Sequence, residues 1–303
     1  DDSLYILGGR NTFGYFLGDY AGHKNYDRDV LVYNTGSKDS SIYQIKDYYK
    51  KITSQKCCSV FHYNESLGEK NSVKKAEQEL KNRYESLENK YDKFLAENYD
   101  YKANTYETNK INLLSNPTSL YTKQPTVYYG LMYLAKNAKK EVKIHTPYII
   151  CNDYMYKELK NIKVPTTIMT NSAENNGNIF GAVDYLNHKK DIINTGVKEY
   201  EGGISYHGKS MTIDDDIAIV GSFNMDMRSA YIDTELMLVI NSKDINKQLK
   251  ASMEEYEKKA ATVKNETEYS HIPEGMKMKE LSDKKKNIKA WFGWAMNGLR
   301  FLF

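Results

Sequence analysis

The chain has 303 residues, with 43 Lys and Arg against 40 Asp and Glu, a formal charge of +3, and 40% hydrophobic residues. This is the balance of a globular protein that buries a core, long enough for two domain-sized units, and it excludes a chain that coats nucleic acid through overall charge. Three cysteines, Cys57, Cys58 and Cys151, fit neither a disulfide framework nor a zinc site and read as reduced; no run of about 18 apolar residues occurs, so these residues contain no membrane-spanning helix.

In chain order, an apolar run precedes Gly8-Gly9-Arg10-Asn11. From about 64 to 110 the chain is strongly polar. Val73, Ala76, Leu80, Tyr84, Leu87, Tyr91 and Phe94 recur there at steps of three and four, which predicts a surface helix packing one stripe on the first half. The boundary between halves is placed near 111–117, with Asn116-Pro117 as a turn opening the second half. Beyond it, helical patterns at 127–139, 154–161, 181–193 and 244–259 alternate with β-type runs at 142–150, 165–170, 197–200, 204–213, 217–222 and 235–240. Alternation of this kind predicts an α/β sandwich. The expected organisation is 1–110, 111–262 and a linker with a basic tail at 263–303.

The densest chemistry lies at Tyr206-His207-Gly208-Lys209 and the stretch that follows, as far as Asn224. On a strand, His207 and Lys209 share a face, with Gly208 leaving room for substrate between them. A turn at Asp214-Asp215-Asp216 returns the chain alongside and delivers Gly221-Ser222-Phe223-Asn224 to the same place. Imidazole attacks phosphorus or moves a proton near neutral pH. Lys209, Ser222 and Asn224 supply cationic and hydrogen-bonding groups for non-bridging phosphate oxygens.

These residues resemble the HxKx4D…GSxN signature of the phospholipase D superfamily, with His207, Lys209, Asp214, Gly221, Ser222 and Asn224 at its named positions. The continuation Met225-Asp226-Met227-Arg228-Ser229, with Asp233-Thr234-Glu235 ahead of Leu236-Met237-Leu238, and the Thr146-Pro147-Tyr148 segment resemble bacterial cardiolipin synthases more narrowly. The resemblance implies two similar α-β-α sandwich halves about a pseudo-twofold axis and a phosphohistidine intermediate resolved by water or an alcohol, with no metal or cofactor required. It also implies that Glu235 orients His207. Which histidine attacks is left open.

The N-terminus echoes the later motif. Laying Gly8-Gly9-Arg10-Asn11 over Gly221-Ser222-Phe223-Asn224 puts Gly9 on Ser222, Asn11 on Asn224 and Asp1 on Asp214. Asp29, in Tyr26-Asp27-Arg28-Asp29, then matches Glu235. The chain is thus expected to begin inside its own first motif, with that copy's histidine and lysine upstream, so these residues alone are expected to turn over little substrate unless two copies pair. His145 reads as structural because it lacks a lysine two residues on, and His23 as a loop histidine.

The tail, 284–303, has four lysines, one arginine and no acid; it carries +5 against a formal total of +3, leaving the rest at −2. At about 100° per residue, Ile288, Trp291, Phe292, Ala295, Leu299, Leu302 and Phe303 share one side, the pattern of a helix in a bilayer interface. The expectation is a phosphatidyltransferase of the cardiolipin synthase kind acting on phosphatidylglycerol, with a phospholipid substrate, a membrane surface met through Lys284–Phe303 and no nucleic acid, at the cytoplasmic face of the membrane. A phospholipase, a nuclease or another phosphodiesterase of the superfamily, and a non-enzymatic relic, are the alternatives.

Overall fold

The computed structural model describes residues 3–17, 24–62, 64–90, 100–293 and 298–302, apart from the side chain of Phe292. Expectations attached to Asp1, His23, Tyr91, Phe94, Ala295 and Phe303 lie outside the described residues. The chain divides into two compact units, 1–47 with 106–303, and 48–105.

The larger unit opens with β1 (Leu4–Gly8) and β2 (Asp29–Tyr33), an antiparallel pair, and then α1 (Ser41–Thr53), which runs into the smaller unit. It continues with β3 (Lys110–Ser115), α4 (Thr126–Lys136), β4 (Val142–His145), β5 (Ile149–Ile150), α5 (Asp153–Lys160), β6 (Thr166–Asn171), α6 (Ile179–Asn194) and β7 (Lys198–Gly202). Next come β8 (Lys209–Ile213), β9 (Ile217–Gly221), β10 (Met225–Asp226), α7 (Met227–Tyr231), β11 (Leu236–Asn241), α8 (Lys243–Glu257), β12 (Ala260–Val263), β13 (Tyr269–His271) and α9 (Asp283–Phe292). In the smaller unit, α2 (Glu65–Gly68) precedes α3 (Asn71–Lys90).

Among the described residues, nine strands form one sheet in the order β13-β12-β7-β6-β4-β8-β9-β11-β3. Its middle, β4-β6-β7, is parallel; the run from β4 through β8, β9 and β11 to β3 is antiparallel. Side chains alternate across it as a pleat requires. On β9, Ile219 joins a cluster with residues of α4, α5 and α6, while Ala218 and Val220 join Leu249 and Met253 of α8 on the other face. The fold is therefore an α-β-α sandwich. Leu7 of β1 and Val32 of β2 pack into the α8-side cluster, which fixes the N-terminal ribbon against the sheet.

Local chemistry starts the helices where the alternation predicts them. Asn152, Asn178 and Ser242 cap α5, α6 and α8 by accepting hydrogen bonds from Met155, Gly181 and Ile245 N–H groups. On α4, Val127, Tyr128, Leu131, Met132 and Ala135 form a buried stripe, and each of the four larger side chains contributes about 1.5–3 kcal/mol by leaving water. Two strands depart from expectation. β3, read as a boundary loop, is one sheet edge, paired throughout with β11; Asn112 and Ser115 mask its apolar Ile111, Leu113 and Leu114. β13, read as linker, is the opposite edge.

In the smaller unit α3 forms, and its surface is laced by a Gln78–Asn82 hydrogen bond of 2.8 Å. Within this unit, Leu80, Tyr84 and Leu87 of the expected apolar stripe are exposed.

Candidate active site

Lys209 is the first residue of β8 and pairs with Gly221, the last of β9, which pairs in turn with Met237 of β11. Glycine is required at 221 because a Cβ there would sit 2.1 Å from the Leu236 carbonyl oxygen. Lys209 is buried, and its Nζ lies 2.6 Å from Nδ1 and 2.9 Å from Nε2 of His207. His207 itself is not on the strand: it occupies the loop between a parallel bridge at Tyr26–Tyr206 and the start of β8. The two side chains nonetheless meet on one side, as a spacing of two along extended chain predicts. Gly208 serves a different purpose from the one expected. A Cβ there would lie 2.3 Å from the Tyr206 hydroxyl, so its missing side chain makes room for Tyr206 instead of substrate.

The N-terminal ribbon closes the other side. The His207 N–H donates to the Tyr26 carbonyl at 2.7 Å, and Asp27 Oδ2 lies 2.7 Å from His207 Nδ1. Phe16 is buried edge-on against the imidazole, with centroids 4.9 Å apart. Arg28 fastens this segment by donating to Tyr206 Oη at 2.6 Å, to Ser252 Oγ at 3.1 Å and to Ser210 Oγ. Gly9, the counterpart of Ser222, faces Lys209 so closely that a Cβ would stand 2.8 Å from its Cδ and 3.0 Å from the Gly221 oxygen. That contact explains why this position has no side chain. Asn11 is exposed two residues further on.

Asp27 is the carboxylate at His207 that sequence reasoning missed, and it stands where Glu235 was expected. Glu235 does not reach His207; it accepts from Ser229 Oγ at 2.8 Å and from Ser222 Oγ. Asp29 accepts from Arg10 Nε at 2.6 Å. Strand register explains the shift. Gly8 pairs with Asp29 whereas Gly221 pairs with Met237, so the position matching Glu235 is two residues before Asp29, at Asp27. The signal was present as a second acid on the same face of an extended segment.

Asp214 is at the far end of β8 from Lys209, about 17 Å along the strand. It takes up a left-handed conformation (φ 52°), which aspartate tolerates, and accepts the N–H groups of Lys139, Lys140 and Glu141. Partial burial opposes its ionisation, but those three donors outweigh it and hold its pKa below the ordinary value. It supports the turn and does not join the site. His145, as expected, is structural: fully buried, with Nε2 3.2 Å from Glu257, and pushed by burial down to about 4.

Burial dominates the electrostatics. It lowers the His207 pKa, aided by the Lys209 charge and opposed by the Asp27 hydrogen bond. Lys209 is brought to about 8 by burial, against the pull of Asp27, Glu235, Asp226 and Asp29. Asp226, which caps α7 through Ser229 N–H at 2.6 Å, is raised to about 8 by burial, and Glu235 is raised by the same cause. Asn224 Nδ2 meets Ser229 Oγ at 3.3 Å, leaving Asn224 Oδ1 without a partner. The site therefore offers an imidazole with Asp27 at Nδ1 and the Lys209 Nζ within reach of both ring nitrogens, a buried lysine and two small polar side chains around one end of the sheet.

Residues 131–256 match the family described as "Cardiolipin synthase, PLD-like domain". The chain is 25% identical over 287 residues to an uncharacterised protein of Helicobacter pylori, covering 84% of this chain and 55% of that one. It is 29% identical over 159 residues to cardiolipin synthase 1 of Staphylococcus epidermidis, covering 51% of this chain and 32% of the synthase. The chain thus spans about half the length of the first and about a third of the second. Among solved structures, phosphatidylserine synthase of Haemophilus influenzae Rd KW20 matches with a TM-score of 0.59 at 17% identity, covering 100% of this chain and 69% of that one; this likeness is one of fold.

Proposed function

We propose that this chain, which belongs to the phospholipase D superfamily, acts as a phosphatidyltransferase of the cardiolipin synthase kind, with phosphatidylglycerol as donor and acceptor. The observation that carries the reading is the cluster in which Asp27 holds His207 Nδ1 while Lys209 stands at the ring, closed over by Gly9.

In the proposed first half-reaction, Nε2 of neutral His207 attacks phosphorus, a P–N bond forms and the P–O bond to the leaving glycerol breaks; the departing oxygen takes its proton from the imidazolium of His207 in a second, paired copy of the chain. In the second, a free glycerol hydroxyl of another phosphatidylglycerol passes its proton to that same, now neutral, imidazole of the paired copy and attacks phosphorus, and the P–N bond breaks to regenerate the His207 imidazole. Asp27 fixes the tautomer with Nδ1 protonated. Lys209, Ser222 and Asn224 bind the oxygens on which charge grows, where exclusion of water strengthens each contact. The paired Ser229 and Glu235 hold Ser222 and Asn224 in place. A lipid substrate puts the working site at a membrane surface, and the reading of the cysteines as reduced puts that surface on the cytoplasmic side.

The test is incubation with phosphatidylglycerol vesicles, following cardiolipin and free glycerol by mass spectrometry, for the wild type and His207→Ala. Turnover is expected to be low unless two copies pair; where they do, both products are expected, and both are expected to disappear in the variant. Cleavage of DNA without either product refutes the transferase reading in favour of a nuclease, and release of phosphatidic acid in place of cardiolipin assigns a hydrolase.

A further inference from the structure

The end of the sheet that carries Lys209 is bordered on two sides by exposed apolar side chains. On one side the chain leaves β1 at Gly8, passes Gly9 against Lys209, and enters a loop ending in a single 3-10 turn, Gly14–Phe16. Phe16 points inward onto His207 while Phe13 and Leu17, each 60% exposed, and Tyr15 point outward. Phe13 and Tyr15 stack with their planes 3° apart. On the other side the chain leaves β9 at Gly221 and forms α7, on which a second turn, Arg300–Leu302, is mounted: Arg228 Nη1 donates to the Leu302 carbonyl at 3.3 Å. Arg300 is drawn inward by Asp184 at 2.6 Å and by the Cys151 carbonyl at 2.7 Å, which leaves Phe301 and Leu302 facing outward.

The cations of the tail are divided in the same way. Lys285 is buried and donates to the carbonyls of Ala173, Glu174 and Asn176 at 2.7, 2.6 and 3.0 Å. Lys284, Lys286 and Lys289 are exposed on α9 beside exposed Trp291. Inward cations anchor the segment to its own unit; outward Lys286 lies 3.9 Å from Glu280 and from Asp283, both exposed. The tail is therefore not a helix lying wholly in an interface, as its sequence suggests.

We propose that Phe13, Tyr15 and Leu17 on one side and Phe301 and Leu302 on the other form a rim that inserts into the surface of an anionic phospholipid bilayer, with Lys284, Lys286 and Lys289 on its headgroups. A bilayer fits because outward apolar side chains on each turn are held by inward anchors, and three exposed lysines accompany them, outnumbering the exposed Glu280 and Asp283 that lie 3.9 Å from Lys286. The purpose of the rim rests on the lipid reading of the site: it presents a headgroup phosphodiester to His207 without extracting the lipid.

The test is flotation of the 303-residue chain with vesicles of phosphatidylcholine alone or mixed with phosphatidylglycerol. The wild type is expected to float with the mixed vesicles, in a salt-sensitive manner. Phe13→Ser with Leu17→Ser, and separately Phe301→Ser with Leu302→Ser, are each expected to lower the partition at least tenfold, with thermal melting of each variant checking the fold. Lys284→Glu, Lys286→Glu and Lys289→Glu together are expected to remove the preference for phosphatidylglycerol. A wild type that stays in the buffer, or folded double variants that float as it does, overturns the proposal. The readout is independent of turnover: a chain that floats keeps the rim whether or not it makes lipid product, and one that acts on detergent-dispersed lipid yet ignores vesicles loses the rim and keeps the transferase.

Discussion

Asp27→Asn separates the crossed arrangement of the site from the one its sequence suggests. The substitution keeps the size of the side chain but removes the charge that faces His207 Nδ1 at 2.7 Å. A hydrogen bond to a charged group of this kind contributes about 1.5–3 kcal/mol, so loss of orientation alone is expected to lower kcat by about 10- to 150-fold. The wrong tautomer costs more where the base must be held strictly, as in the serine-protease triad, where the equivalent change costs about 10⁴-fold. Nitrogen-15 NMR of the histidine ring reads the interaction without turnover. Because Asp27 opposes the lowering of the His207 pKa, Asp27→Asn is expected to move the ring's titration midpoint to still lower pH and to abolish the protected Nδ1 proton. Glu235→Gln is expected to leave both unchanged, since Glu235 is engaged by Ser222 and Ser229. If Glu235→Gln shifts the ring and Asp27→Asn does not, the assignment of Asp27 is wrong.

Activity is expected to follow a bell in pH. It rises as His207 loses its proton below the usual histidine range, because burial disfavours the imidazolium, and falls near pH 8 as Lys209 loses its own; a profile flat through pH 9 counts against Lys209 as a phosphate ligand. Gly9→Ala is expected to force Lys209 or the Gly221 backbone aside and to destabilise the fold by about 1–3 kcal/mol, measured by urea unfolding. Gly9→Ser, though it makes the first copy match Ser222, is expected to fare no better; unchanged stability in both variants shows the contact to be loose. Arg300→Ala strands the buried Asp184 carboxylate and is expected to cost about 3–5 kcal/mol, much of it recovered in the Arg300→Leu, Asp184→Asn double variant. An additive double variant refutes that pairing.

The chemistry of the second motif was legible because its parts are close in sequence: histidine and lysine two residues apart, a short turn, and a glycine-led loop that a returning strand brings to the lysine. The elements from α4 to α8 were legible for a related reason, since helical and strand periodicities are local properties of the chain. The edge strands were not: β3 is interrupted by polar residues and held by a partner more than a hundred residues away, and β13 is only three residues long.

Which carboxylate orients the imidazole was decided by the tertiary structure alone. Asp27 and Asp29 alternate on an extended segment, so a pattern of period two gives both the same face and cannot separate them. Only the pairing of Gly8 with Asp29, and the parallel bridge that lays Tyr26 beside Tyr206, determine which acid arrives at residue 207. The empty side chains of Gly9 and Gly208 carry the same lesson: a glycine in sequence records that space is needed, and the neighbour that occupies it, Lys209 in one case and Tyr206 in the other, is known only once the chain has folded back on itself.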